Sequence, residues 1–88
     1  MELTSRSIFE ISDNSIARYI YDTLLPEIET PVSDRSNVML FLEDNTLIMT
    51  VQSSDIISMR SALNTWLRLI AISYEIFNKL EADSALEI

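Results

Sequence analysis

Residues Ser54 to Lys79 read S-D-I-I-S-M-R-S-A-L-N-T-W-L-R-L-I-A-I-S-Y-E-I-F-N-K, a long run at helical spacing with no proline or glycine. At about 100° per residue, Ile56, Met59, Leu63, Trp66, Leu67, Ile70, Tyr74 and Phe77 fall on one stripe, and Ala62, Leu69, Ile72, Ile76 and Leu80 on a second beside it. Arg60, Asn64, Arg68, Glu75, Asn78 and Lys79 mark the polar side. A helix on a single sheet needs one apolar arc. The second stripe calls for a cover from outside the domain, so the chain reads as a subunit of an assembly.

The rest of the chain supplies a small sheet and one more helix. Leu3 to Ile11 has the two-residue period of a strand, with neither face cleanly polar. Ser12-Asp13-Asn14 breaks it, and Asp13 is the best N-cap for a helix carrying Ile16, Tyr19, Ile20, Thr23 and Leu24. Pro26 is expected to end that helix or distort its last turn. Glu27 to Asn37, with Pro31, Ser33, Asp34 and Ser36, reads as a loop. Val38–Glu43 and Thr46–Ser53 read as strands joined by the two-residue turn Asp44-Asn45, since both residues tolerate positive φ. Ser54 or Asp55 caps the last helix, expected to reach about Leu80 before a fraying tail over 81–88. The expected fold class is α+β in the order β-α-β-β-α, a three-stranded antiparallel sheet with two helices on one face. It forms a single domain over 1–88 with an ordered core of about 3–80. The first strand can lie beside either hairpin strand.

Both faces of the hairpin carry large apolar side chains. Val38, Leu40 and Leu42 oppose Met39 and Phe41, while Leu47, Met49 and Val51 oppose Ile48. A sheet with helices on one side and water on the other alternates more cleanly. Met39, Phe41 and Ile48 are therefore candidates for a dimer interface, and an isologous two-fold contact buries one such patch on both copies.

Composition excludes most chemistry. The chain has no cysteine, no histidine and no glycine. This rules out thiolate metal sites, the commonest general base and a glycine-rich phosphate loop. The single lysine, Lys79, lies near the end of the last helix, and Glu43 and Asp44 sit at a hairpin tip open to water. No catalytic residue, metal or cofactor is expected, and the chain reads as a non-enzyme. The formal charge is −8, which opposes unaided binding to nucleic acid. No signal-peptide pattern or membrane-length apolar run is seen, so a cytoplasmic protein without membrane contact is expected.

One local pattern is more specific. Arg60-x-x-x-Asn64-x-x-x-Arg68 sets two guanidinium groups about an amide along one line of the helix, an arrangement able to hold carboxylates, phosphates or carbonyls; the plainer reading is a solvated helix face.

D-I-I-S-M-R-S-A-L-N-T-W-L-R-L-I resembles the signature of the small Pcc subunit family of the KEOPS complex, matching at Asp55, Arg60, Asn64, Trp66, Leu67, Arg68 and Ile70. Thr65 stands where serine is usual. I-S-D-N-S-I-A-R-Y-I-Y-D-T-L-L-P-E is similar to the family's first helix and the acidic loop after it, so the likeness runs from about Ser5 to Leu80. KEOPS makes the threonylcarbamoyl modification of adenosine beside the anticodon of tRNA. The resemblance implies a non-catalytic dimerisation and scaffold subunit. Such a subunit homodimerises, and each protomer packs its helices against N-terminal helices of the catalytic threonylcarbamoyltransferase. tRNA is then met only in the context of the complex. On this reading the transferase covers Leu69, Ile72, Ile76 and Leu80, the stripe left after Leu63, Trp66, Ile70, Tyr74 and Phe77 are assigned to the core. Arg60, Asn64 and Arg68 contact its rim or a second partner surface. Two other classes fit the element order: a small RNA-binding module of KH-like architecture, and a dimerisation domain of an unrelated complex. The first lacks the glycines of a GxxG clamp.

Overall fold

The computed structural model describes residues 2–29 and 36–86. The elements are β1 (Leu3–Glu10), α1 (Asn14–Glu29), β2 (Ser36–Glu43), β3 (Thr46–Ser53) and α2 (Ile56–Leu86). The sheet order is β1-β3-β2 with both pairings antiparallel. The fold is the α+β arrangement expected, and β1 resolves its open choice by pairing with β3. β1 and β2 thus run parallel to each other with β3 filling the gap, a split crossover in which α1 makes the connection.

The three strands alternate in one register. Leu47, Met49 and Val51 of the central strand are wholly buried beneath the helices, with Leu40 beside them. From α1, Ile16, Ala17, Ile20 and Leu24 close the core; from α2, Met59 and Ile70 do so. The central strand β3 is covered by neighbours on both edges as well as by the helices, and it carries the three wholly buried residues of the sheet.

Both helix starts use an aspartate as N-cap. The Oδ1 of Asp13 accepts from the backbone N–H of Ser15 at 2.7 Å and of Ile16 at 3.3 Å. The Oδ1 of Asp55 accepts from the N–H of Ser58 at 2.7 Å, and its Oδ2 accepts from the Ser58 hydroxyl at 3.1 Å. Each carboxylate satisfies donors that the first turn leaves without helical partners. The Ser54 hydroxyl, at 3.5 Å, only donates to the Asp55 carboxylate, so the cap of α2 is Asp55.

Three element boundaries differ from expectation. Pro26 does not end α1, which continues to Glu29 with the proline inside. The residue costs on the order of 3 kcal/mol in a helix interior, but Ile28 one half-turn later packs on the core and holds the last turn in place. Ser36 and Asn37 belong to β2, where they pair with Ser53 and Gln52; Pro31, Ser33 and Asp34 of the expected loop lie outside the described residues. The two-residue turn Asp44-Asn45 is present as expected, with Asp44 at positive φ, 54°, and the Asn45 carbonyl accepts from Ile11 N–H at 2.9 Å and ties the end of β1 to the turn. Finally, α2 extends past Leu80, its helical backbone running to Leu86. Glu81-Ala82-Asp83-Ser84-Ala85-Leu86 contains no glycine or proline to stop it.

The extra turns shape the molecule. At 31 residues α2 is about 46 Å long, against about 27 Å for an eight-residue strand. The domain measures 54 × 21 × 19 Å, and the C-terminal part of α2 overhangs the sheet.

Candidate partner interfaces

The buried arc of α2 lies between the two stripes read from the sequence. Leu63, Trp66, Ile70 and Phe77 face the core as expected, but Ala62 and Leu69 from the second stripe pack there too. Ile56, Leu67 and Tyr74 from the first stripe are exposed. Relative to the first stripe the buried arc is rotated by roughly 50°. The reason is the second helix: α2 packs against α1 as well as the sheet, so it is covered on one flank as well as underneath. Tyr74 is thereby corrected from core residue to surface residue, and Leu69 from a free stripe position to one half-buried against the core.

What remains open on that flank is Ile72, Ile76 and Leu80, exposed by 46%, 52% and 55%. They recur at four-residue steps on the distal half of α2, the spacing that lays an apolar ridge along a partner helix. Tyr19 of α1 stacks on Phe77 with ring centroids 5.4 Å apart and planes tilted by 42°, which fixes α1 against α2 at the base of the overhang.

The outer sheet face is a second apolar surface on the opposite side of the molecule. Strand alternation turns Met39 and Phe41 outward with 42% and 48% of their surface exposed, and Ile48 lies half-buried between strands. The register sets Phe41, Ile48 and Ile8 side by side across the three strands. Ile8, 55% exposed, is the residue the sequence reading missed. Its alternation with Glu10 was visible, but the pairing that puts it beside Ile48 is non-local and has no signal within β1.

Arg60, Asn64 and Arg68 are all exposed on the solvent side of α2. Arg18 Nε pairs with Asp22 Oδ2 at 3.4 Å, an exposed i,i+4 contact worth well under about 1 kcal/mol. The two arginines of the triad thus present their charge outward. Glu43 and Asp44 are exposed at the hairpin tip. The described residues include no cluster of three or more carboxylates able to hold a metal ion.

The buried polar atoms are absorbed by structure. The Ser53 hydroxyl, 3% exposed, donates either to the Asp55 carbonyl at 3.2 Å or to the Ser36 hydroxyl at 3.3 Å, having one proton for the two contacts. The Ser36 hydroxyl donates to the Ser58 carbonyl at 3.4 Å when it is not the donor to Ser53. These hydroxyls bind the start of β2 and the end of β3 to the first turn of α2, and no described side-chain N or O atom is buried without a partner. No described helix is long and apolar enough to cross a membrane.

No curated protein matches the chain significantly. A family model described as Transcription factor Pcc1 matches residues 7–78. The matched segment runs from β1 through the hairpin into the overhanging half of α2, and it contains Arg60, Asn64, Arg68, Ile72 and Ile76. With that match over most of its length, the chain belongs to the Pcc1 family, the family of the small KEOPS subunit.

Proposed function

We propose that the chain is the non-catalytic dimerisation and scaffold subunit of a KEOPS complex in the cytoplasm. It supports threonylcarbamoyladenosine modification of tRNA by holding the catalytic transferase. The observation that carries this reading is the pair of apolar surfaces on opposite sides of one small domain: Ile8, Ile48, Phe41 and Met39 on the sheet, and Ile72, Ile76 and Leu80 on α2. A stable domain of this size does not leave two such surfaces to water without partners for them. The sheet face serves the homodimer, and the overhanging stripe takes a helix of the transferase in the helix-in-groove manner. A dimer with one transferase on each protomer joins two catalytic halves. tRNA contact then depends on cations supplied by the partner, because this chain carries a charge of −8.

Ile72→Asp and Ile76→Asp test the assignment. Each places a carboxylate in the helix–helix contact, and an unpaired buried charge costs on the order of 3–5 kcal/mol. Pull-down of the KEOPS transferase is expected to fail with either variant, while circular dichroism and dimer mass stay those of the wild type. Retention of the transferase at wild-type affinity by both variants moves the interface elsewhere.

A further inference from the structure

The charges on the outer sheet face fix how two copies can meet. On this face the strands present four successive rows: Thr4, Gln52 and Asn37; Arg6, Thr50 and Met39; Ile8, Ile48 and Phe41; Glu10, Thr46 and Glu43. The apolar row is the third, with the Arg6 row on one side and the Glu10 row on the other, and the rows are about 6.8 Å apart, two residues of strand. On β1, Arg6 and Glu10 therefore lie at equal distances on either side of Ile8, and both are exposed.

Resting on the dimer reading above, we propose that the second copy seats on this face with the two-fold axis running across the strands through the apolar row. Each strand then lies over its own counterpart in reverse. Ile8, Ile48 and Phe41 meet their own copies at the centre, Arg6 of each protomer stands over Glu10 of the other, Thr50 over Thr46, and Met39 over Glu43 at the β2 edge. The arrangement is self-complementary because an axis through Ile8 exchanges the positions two residues before and after it. A two-fold running along the strands does the opposite. It sets β1 over β2 of the second copy and brings Glu10 against Glu43 twice, gathering four carboxylates at one end in a chain already at −8. Like charges face to face across an interface oppose that register. The face itself spans only roughly 400 Å² per copy from its strand and row spacings, against about 800 Å² per partner in a standard interface. With so small an apolar contact, the paired charges decide the register.

The experiment is a charge swap read by sedimentation equilibrium, with circular dichroism as the check on folding. Arg6→Glu is expected to weaken the dimer at least about tenfold, since each dimer contains the pair twice. Glu10→Arg is expected to weaken it similarly even though it lowers the net negative charge, which separates pairing from overall repulsion. The double variant Arg6→Glu, Glu10→Arg is expected to restore the wild-type dissociation constant to within about threefold. Single variants that dimerise like a wild-type dimer overturn this register and leave the dimer reading standing. Rescue of Arg6→Glu by Glu43→Arg instead of Glu10→Arg also overturns it. A monomeric wild type removes the dimer reading and the register together.

Discussion

Leu47 and Ile48 are consecutive residues of the central strand, and replacing each tests whether the sheet has one protected face and one open one. Leu47 is wholly buried under the helices. Truncation to alanine removes packing that nothing can refill, at about 2–5 kcal/mol. An 88-residue domain unfolds with about 0.18 kcal/mol/K of entropy at its midpoint, so Leu47→Ala should lower Tm by roughly 10–25 °C. Ile48 faces outward between Ile8 and Phe41. Ile48→Thr keeps the β-branch and loses only cross-strand contact, about 0.2–1 kcal/mol. Its larger effect should appear through mass action, because a dimer that exists only when folded adds stability that grows with concentration. The assay is thermal unfolding followed by fluorescence of Trp66, the single tryptophan, at nanomolar and at tens of micromolar chain. Leu47→Ala should drop Tm by a similar amount at both concentrations. Ile48→Thr should be near wild type when dilute and fall behind it when concentrated. An Ile48→Thr loss as large as that of Leu47→Ala at both concentrations would falsify the two-faced sheet.

Three further outcomes follow from particular contacts. Asp55→Ala removes both the cap on Ser58 N–H and the carboxylate that the Ser58 hydroxyl donates to, and urea unfolding should show a loss of about 1–2 kcal/mol. Leu69→Asp, unlike Ile72→Asp, should destabilise the isolated domain, since Leu69 packs on the core and its replacement buries a charge; circular dichroism melts distinguish the two. The isolated chain should show no sub-micromolar retention of tRNA in filter binding at physiological salt, and salt-sensitive retention at that level would contradict the charge argument.

The elements were legible where local chemistry sets them. Asp13 and Asp55 precede periodic apolar runs and cap the helices they introduce, and Asp44-Asn45 sits between alternating strands and turns the chain. The boundaries failed where distant packing decides. Pro26 is a stop signal in isolation, yet Ile28 finds the core and carries the helix past it. The end of α2 is not legible because the polar composition after Leu80 resembles a tail, although it contains nothing that breaks a helix. The surplus of apolar surface on α2 was visible in the sequence, but its division was not. Which flank α1 covers depends on tertiary docking, and this moved Leu69 inward and Tyr74 outward. Likewise Met39, Phe41 and Ile48 could be picked out from the hairpin alone, while Ile8 joined them only once β1 had chosen β3.

The account stands most directly on mass. Sedimentation velocity of the wild-type chain with the KEOPS threonylcarbamoyltransferase, each also run alone at micromolar concentration, reads both proposed surfaces together. The account predicts a dimer for this chain alone and an assembly of two chains with two transferases for the mixture. A monomer that does not change sedimentation when the transferase is added would contradict it.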